Sequence, residues 1–364
     1  MNRSVCFAFL CVIGSIAAEA PSAPPTISTV AGTGRKGYSG DGGPAVSAEL
    51  NMPFDVAFDK SDNLYISDTM NHCIRRVDAR ARTIETFAGD GTKGFAGDDG
   101  PAAKAKLNEP YGLAIDESGN VYLVDRLNNR IRKVDATTGT IATVAGNGTK
   151  VYSGDGGPAI AAGLVEPNGI ALDRHGRLYI ADVRGNRVRM VDTAKGTIQT
   201  FAGTGEPKDA GDGGPAKNAA VWGPRAVDIA PDGSIYILER EGNRLRKVDA
   251  KTGLIATVAG TGAKGYSGDG GAAINATFNG PKEMAVDTAG NIVIVDTENH
   301  AARRIEIASG TIRTVAGTGT KGNEGDGGPA TAARLGRPHG AAFSSQGILF
   351  LGDTENHRIR RVGQ

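Results

Sequence analysis

The chain has 364 residues, and its 54 glycines and low aromatic content of 5% are typical of a protein with many tight turns and small cores. Lysine plus arginine (41) almost equals aspartate plus glutamate (40), which excludes a generally cationic surface. Non-specific nucleic-acid binding needs clustered cations that neutralise phosphates, so we expect no nucleic-acid partner.

Residues 1–20 have the pattern of a secretory signal peptide. Arg3 supplies the positive charge, residues 5–16 are apolar, and small residues follow, so we expect cleavage near residues 17–20. An N-terminal membrane anchor is the alternative interpretation, but the apolar run is shorter than the ~20 residues that span a bilayer. The sequence therefore predicts a secreted or periplasmic protein without stable membrane insertion after cleavage.

The mature chain begins with a short proline-rich spacer, residues 21–25, and continues as one predicted domain over residues 26–364. Removal of the signal peptide leaves one cysteine, Cys73, so no disulfide within the chain is expected. We also expect a monomer.

A repeat of 57 residues organises the rest of the chain. The tripeptide Val-Ala-Gly or Phe-Ala-Gly occurs six times at this fixed spacing, with its alanine at Ala31, Ala88, Ala145, Ala202, Ala259 and Ala316. A fixed period of this length indicates one supersecondary unit copied six times.

The second copy shows the content of one unit. Residues 111–116, 121–125, 130–135 and 140–145 are apolar runs separated by turns rich in glycine, asparagine and aspartate. This pattern predicts four strands in an antiparallel meander. The connection to the next unit, residues 146–166, contains Gly-Asp-Gly-Gly-Pro-Ala, which predicts a single helical turn after the proline.

Six such units predict an all-β fold, a six-bladed β-propeller with four antiparallel strands per blade. Residues 26–30 match a fourth strand alone, and the chain stops after a third strand near residues 361–362. The N-terminal strand is therefore predicted to close the sixth blade. A calcium-binding β-roll is a weaker alternative, because Gly-Asp-Gly-Gly occurs once per 57 residues and is never iterated.

The units resemble NHL repeats. The resemblance rests on Asn-His pairs at His72, His300 and His357, and on the string Pro-x-Gly-(Leu/Ile)-Ala-x-Asp followed by Val-Tyr-Leu-Val-Asp and Asn-Arg-Ile-Arg-Lys-Val. The long glycine-rich connection is similar to that of secreted bacterial proteins and of teneurin propellers. The resemblance implies a six-bladed propeller and no single function, since the family includes binding platforms, receptor sensor domains and peptidyl-hydroxyglycine amidating lyases.

Two positions are nearly constant in all six copies. A carboxylate ends the second strand and an arginine lies in the third, which predicts structural pairs inside each blade and no catalytic role. The pairs are Asp68 and Arg75, Asp125 and Arg132, Asp182 and Arg189, Glu239 and Arg246, Asp296 and Arg303, and Asp353 and Arg360. The three repeat histidines lie on separate turns, so we predict no metal site there.

The residue that follows the conserved proline differs in every copy, and it opens the innermost strand. The six residues are Phe54, Tyr111, Asn168, Arg225, Lys282 and His339. Asp55 and Glu283 follow two of them, and Trp222, the only tryptophan, precedes Arg225 by three residues. We predict that this set rings one mouth of the central channel and binds a ligand there.

The primary functional hypothesis is a secreted bacterial binding module that is not an enzyme and needs no cofactor. It would hold a protein, a peptide or an anionic carbohydrate at the channel mouth and the glycine-rich loops. The alternative is a metal-dependent lyase or lactonase that uses calcium or zinc. The resemblance to the amidating lyases is limited to Pro338-His339, and Asp55 and Glu283 would be the further ligands of a zinc ion there. For calcium, the candidate ligands are the oxygens of Asp55, Asn168 and Glu283.

Overall fold

The computed structural model describes Met1 and residues 24–363, so the predicted signal peptide and most of the spacer lie outside the described residues. The chain forms six antiparallel sheets around a central channel, which confirms the predicted six-bladed β-propeller. The described part of the chain contains ten single turns of 3-10 helix and no α-helix. None of its helices has the length and apolar character needed to cross a membrane.

The strands follow one another as the repeat predicts. The N-terminal strand is β1 (Thr26–Ala31). Blade 1 contains β2 (Pro53–Phe58), β3 (Leu64–Asp68), β4 (Cys73–Val77) and β5 (Ile84–Ala88). A two-residue strand, β6 (Gly100–Pro101), pairs with the outer strand of blade 2, which contains β7 (Pro110–Ile115), β8 (Val121–Asp125), β9 (Arg130–Val134) and β10 (Thr140–Ala145).

The remaining blades repeat this order. Blade 3 contains β11 (Pro167–Leu172), β12 (Arg177–Asp182), β13 (Arg187–Asp192) and β14 (Thr197–Ala202). Blade 4 contains β15 (Pro224–Ile229), β16 (Ile235–Glu239), β17 (Arg244–Val248) and β18 (Ile255–Ala259). Blade 5 contains β19 (Glu283–Val286), β20 (Ile292–Asp296), β21 (Ala301–Glu306) and β22 (Thr311–Ala316). Blade 6 contains β23 (Ala341–Phe343), β24 (Leu349–Asp353) and β25 (Arg358–Gly363), with β1 as its outer strand.

The helical turns stand at two places in the repeat. The predicted turn after the glycine-rich segment is confirmed in every connection, at Ala45–Ser47, Ala102–Lys104, Ala159–Ala161, Ala216–Asn218, Ala273–Asn275 and Ala330–Ala332. Four more follow the second strand of a blade, at Thr69–Asn71, Arg126–Asn128, Thr297–Asn299 and Thr354–Asn356.

The first strand of each blade faces the channel. It contacts the first strands of both neighbouring blades, and these contacts run from β2 through β7, β11, β15, β19 and β23 back to β2. Apolar clusters fill the space between adjacent blades; Ile74 of blade 1, for example, packs with Leu123 of blade 2. The residues that begin the first strands are thereby brought to one end of the channel.

Glycine in the repeated Ala-Gly pair is required by a close approach of two chain segments. Gly146 has a φ of +90°, and a Cβ atom there would lie 2.3 Å from the carbonyl oxygen of Asn129. A side chain would therefore collide with the turn before the third strand. This constraint explains why the tripeptide marks the repeat.

The constant carboxylate and arginine form a buried network inside a blade. In blade 2, Asp125 accepts the backbone N–H of Asn108 at 2.7 Å, and Arg132 Nη1 lies 3.7 Å from its Oδ2. Arg132 also binds Asp98 of the glycine-rich connection at 2.5 Å. Corresponding pairs lie within 3.1–3.7 Å in blades 1, 2, 4, 5 and 6, whereas no ion pair joins Asp182 and Arg189 in blade 3 among residues 24–363. The network ties the connection to the two middle strands.

Candidate functional site

The six variable residues meet at one end of the channel. Four are the second residues of β2, β7, β11 and β15, and the other two precede β19 and β23. All six line one depression of about 220 Å³, namely Phe54, Tyr111, Asn168, Arg225, Lys282 and His339. Trp222 is 40% exposed and lies outside this lining, so the structure does not bring it to the mouth.

The depression has a closed floor because the variable residues pack on one another. The rings of Phe54 and Tyr111 stack with centroids 4.4 Å apart, and His339 tilts against Phe54 at 4.2 Å. The guanidinium of Arg225 lies 4.8 Å from the Tyr111 ring centroid. Beneath them the free space is about 10 Å³, near the lower limit for one water molecule. The ring is a packed layer that closes the channel.

Hydrogen bonds fix the tautomer of His339. Its Nδ1 lies 2.8 Å from the carbonyl oxygen of Arg337, so Nδ1 must carry the proton. Nε2 then accepts a hydrogen bond from Lys282 Nζ at 3.1 Å. Burial, together with the charge of Lys282, holds the pKa of His339 well below its usual value.

Lys282 is a cation in a dry environment. Its Nζ also lies 3.1 Å from Glu298 Oε1, which favours the charged form. Burial outweighs this effect and lowers the pKa of Lys282 to about 8. The side chain therefore loses its charge as the pH rises through about 8.

Carboxylates lie on the far side of the packed layer. Asp55 accepts the backbone N–H of Leu113 at 2.8 Å, and Glu283 accepts that of Met284 at 3.0 Å. Burial raises the pKa of Asp55 to about 7 and that of Glu283 well above its usual value. Both side chains also line the depression of about 290 Å³ at the opposite end of the channel. The channel is basic at one end and acidic at the other.

A third acidic side chain, Asp228, was missed by the sequence reasoning. It lines the acidic end, accepts the N–H of Val286 at 2.8 Å, and has a pKa raised to about 6 by burial. The five other copies of the repeat have alanine at this position. The replacement of this constant alanine by aspartate is the sequence signal that identifies Asp228.

The basic mouth also includes turn residues that the sequence reasoning did not select. Arg126 lies 2.6 Å from Glu109 and 3.0 Å from Glu166. Arg337 lies 2.6 Å from Glu298, and Arg240 occupies the same repeat position as Arg126. The sequence does mark this position, because Arg126 and Arg240 stand where three other copies of the repeat have threonine.

The repeat histidines connect neighbouring blades. His72 Nδ1 accepts the backbone N–H of Glu109 at 3.2 Å, and His300 and His357 accept equivalent N–H groups, each at 3.1 Å. Asn186 makes the equivalent bond through its amide oxygen at 3.0 Å. The histidines thus satisfy backbone donors at the entry to the next blade.

The side chains suggested for a metal border one space of about 10 Å³, namely Asp55, Asn168, Glu283 and His339. Within residues 24–363, no group of three or more His, Cys, Asp or Glu side chains is placed to hold a metal ion. The oxygen of Asn168 accepts a hydrogen bond from Arg225, and a cation there would meet a positive guanidinium. Asp55 and Glu283 lie on the other side of the layer. We therefore derive no reaction step through a metal.

Family comparisons agree with the repeat. A family model of the teneurin NHL domain matches residues 88–153 and 147–208, and an NHL-repeat model matches residues 335–362. Among curated relatives, SUPPRESSOR OF QUENCHING 1 of Arabidopsis thaliana is 28% identical over 292 residues, which is 77% of this chain and 27% of that protein. Human NHL repeat-containing protein 2 is 26% identical over 85% of this chain and 46% of its own length.

Human teneurin-1 is 26% identical over 94% of this chain, but this match covers 13% of teneurin-1. The chain thus spans less than half the length of these relatives. Among solved structures, an auxiliary nutrient binding protein from Bacteroides ovatus is similar, with a TM-score of 0.68 and 17% identity over 93% of this chain and 76% of that one.

Two enzymes share the fold. A gluconolactonase from Xanthomonas campestris has a TM-score of 0.56 and 14% identity over 94% of this chain and 96% of that one. Virginiamycin B lyase from Staphylococcus aureus has a TM-score of 0.52 and 14% identity over 87% of this chain and 98% of that one. Identities this low show the fold alone. The family models identify NHL repeats in residues 88–208 and 335–362, and the curated relatives include teneurins and NHL repeat-containing proteins.

Proposed function

We propose that this propeller is a binding module whose basic channel mouth, the 220 Å³ depression, holds an anionic group. One observation carries the proposal. The depression is lined by a single carboxylate, Glu166, and by five basic side chains, Arg126, Arg225, Arg240, Lys282 and Arg337.

Arg225 is the centre of the proposed site. It is 8% exposed, and among residues 24–363 no carboxylate forms an ion pair with it, although Glu283 acts on it at longer range. Its guanidinium contacts the Tyr111 ring and the Asn168 oxygen, which are neutral. A buried cation whose opposite charges, such as Glu283, lie beyond ion-pair distance is costly, so an anion that binds there regains favourable electrostatic energy. The planar fork of guanidinium donors also suits a carboxylate.

The size of the mouth limits its ligand. A volume of about 220 Å³ is below the roughly 300–1,000 Å³ of sites for drug-sized molecules. We therefore propose that it receives the acidic sugar or carboxylate terminus of a larger carbohydrate, peptide or protein. The signal pattern of residues 1–20 and the fold shared with a nutrient binding protein support a location outside the cytoplasm.

The test is calorimetric titration with galacturonate, with galactose as the neutral control and an acidic tripeptide as a second anion. Arg225→Met keeps the bulk of the side chain and removes its charge. A charge-assisted hydrogen bond contributes about 1.5–3 kcal/mol, so we expect galacturonate binding to weaken about tenfold to a hundredfold. Calcium and zinc salts should leave the affinity unchanged.

The control variant is Arg313→Ala, which removes an exposed cation from an outer strand, far from the mouth. It should bind as the unmodified protein does. Equal affinity of the Arg225→Met variant, or equal affinity for galactose and galacturonate, would refute an anion site at this mouth.

A further inference from the structure

A second cavity lies at the junction of blades 6 and 1, where the ring closes. Its volume is about 680 Å³, and we call it the seam cleft. The hairpins between the first and second strands of both blades form its sides, together with the turn after β4 and the strand β1. The basic mouth is built from other segments, so the two sites share no residues.

The surface of the seam cleft is mainly apolar, and a departure of blade 6 from the repeat contributes to this. In blade 1, Asn63 donates to Asp59 at 2.8 Å and accepts the N–H of Ala79 at 3.0 Å, which fills this region with a polar network. Blade 6 has Ile348 and Ser344 at these two positions. The network cannot form there, and an aliphatic side chain lines the cavity instead.

The outer strand also places a small residue inside the cleft at this junction. Phe87 packs edge-on against Tyr65 at 5.0 Å between blades 1 and 2, and a matching pair stands between blades 3 and 4 at 4.9 Å. The corresponding residue in β1 is Val30, which is smaller; Val144, Val258 and Val315 hold the same position at three other junctions. Phe58 and Phe350 form an aromatic wall with ring centroids 4.7 Å apart.

Two exposed arginines stand at the edge of the cleft, Arg82 and Arg361. Neither takes part in an ion pair within residues 24–363, and Arg361 has only a weak bond to a serine hydroxyl at 3.3 Å. The two carboxylates at the edge are otherwise engaged. Asp62 accepts the N–H and hydroxyl of Ser345 at 2.9 and 2.6 Å, and Asp78 accepts backbone N–H groups of its own turn.

We propose that the seam cleft binds a small amphipathic anion, with an aromatic or acyl body between the two blades and an acidic head group at Arg82 and Arg361. The volume lies within the range of about 300–1,000 Å³ for sites that bury small molecules. The apolar walls gain by burial of a hydrocarbon body, and the arginine forks supply the donors for the head group. A neutral hydrocarbon gains only from the burial of its apolar surface and makes no charged hydrogen bond to the arginines.

Two dyes separate these contributions. The probe 8-anilinonaphthalene-1-sulfonate has an aromatic body and an anionic head, and N-phenyl-1-naphthylamine has nearly the same body without charge. We expect saturable fluorescence enhancement with one site for the sulfonate. Its affinity should fall about tenfold in the Arg82→Ala, Arg361→Ala double variant, because a charge-assisted interaction is lost. The neutral dye should bind that variant and the unmodified protein equally.

Val30→Phe fills the cleft with the residue that the chain itself uses at positions 87 and 201. The affinity of the Val30→Phe variant for both dyes should be at least about tenfold lower, since the apolar body of each dye no longer fits in the cleft. The matched control, Val258→Phe, makes the same change at the junction of blades 4 and 5 and should bind both dyes normally. Thermal unfolding verifies that both variants are folded.

Retained binding of both dyes by the Val30→Phe variant would overturn the location. An equal loss of both dyes in the arginine double variant would overturn the role of the charge. Loss of dye binding in the Val258→Phe variant would show that the dyes report on general loosening of the blades.

Discussion

Gly185 changes the hydrogen bonding of one blade. In four blades an asparagine amide donates to the carboxylate that ends the second strand, as Asn128 does to Asp125 at 2.8 Å. Blade 3 has Gly185 at this position, and Asp182 Oδ2 has no hydrogen-bond partner among residues 24–363. Burial raises the pKa of Asp182 to about 7, compared with about 6 for Asp125.

Gly185→Asn should therefore stabilise the protein at high pH. A carboxyl with a folded-state pKa of about 7 contributes stability below its unfolded pKa of about 3.9, and this stability is lost as pH rises through 7. The asparagine donor favours the ionised form and restores part of that loss. We expect a gain of about 1.5 kcal/mol at pH 8 and almost none at pH 4, measured by urea unfolding.

The matched control is Gly185→Ala, which adds the same Cβ atom without the amide donor. This Cβ atom would lie 2.7 Å from Asp182 Oδ2 and 2.9 Å from its Cγ, so the carboxylate must shift in both variants and only the asparagine donates a hydrogen bond to it. This variant should not be stabilised. The explanation fails if both variants gain equally, or if the gain in the Gly185→Asn protein is the same at both pH values.

At the scale of the element, β1 joins the two ends of the chain. It pairs with β25 from Thr26 opposite Gly363 to Ala31 opposite Ile359, and Ile27 is fully buried. Asp326 binds both Thr29, at 2.6 Å, and Arg360, at 2.7 Å. The outer strand is thus tied to its blade by side chains as well as by the backbone ladder.

Deletion of residues 21–31 should abolish cooperative unfolding or cause aggregation, because β25 becomes an unpaired edge and the apolar surface around Ile27 is exposed. Scanning calorimetry and size-exclusion chromatography measure both effects. A synthetic peptide of residues 24–31 should restore a cooperative transition, whereas a scrambled peptide should not. An unchanged melting temperature in the truncated protein would contradict closure by β1.

At the scale of the whole molecule, the ring of six blades separates two charged ends of one channel. The basic mouth is lined by residues of blades 1 to 6, and Asp55, Asp228 and Glu283 line the other end. Between them the packed layer leaves about 10 Å³. A ligand at one end is therefore separated from the other end by side chains.

Anion binding at the basic mouth should weaken as pH rises through 8. Lys282 has a pKa lowered to about 8, so its positive charge is present at pH 7 and largely absent at pH 9.5. We expect galacturonate affinity to fall by about tenfold over this interval, the value of one charge-assisted interaction. Lys282→Arg should remove the dependence, since arginine stays protonated.

Calorimetric titration at pH 7 and 9.5 gives both affinities. A pH dependence of equal size in the Lys282→Arg variant would assign it to another group. An affinity of the unmodified protein that is the same at both pH values would remove Lys282 from the site.

The repeat by itself determined the architecture of this protein. A spacing of 57 residues and four apolar runs per unit predict six blades. The lone fourth strand at residues 26–30 and the missing fourth strand of the last unit predict closure by β1. The same spacing identified the variable ring, because equivalent positions in a closed ring must face one axis. These features are periodic, and a period is visible without coordinates.

Tertiary structure alone decided the character of the site. The sequence predicted that the variable residues ring one mouth of the channel and bind a ligand there; in the structure Phe54, Tyr111 and His339 pack on one another and close the channel beneath that mouth. The tertiary structure also places Trp222 outside the lining of the mouth and brings Arg240 and Arg337 into that lining. Burial, charge pairing and the seam cleft depend on how side chains from different blades meet, and those distances arise only when the ring has closed.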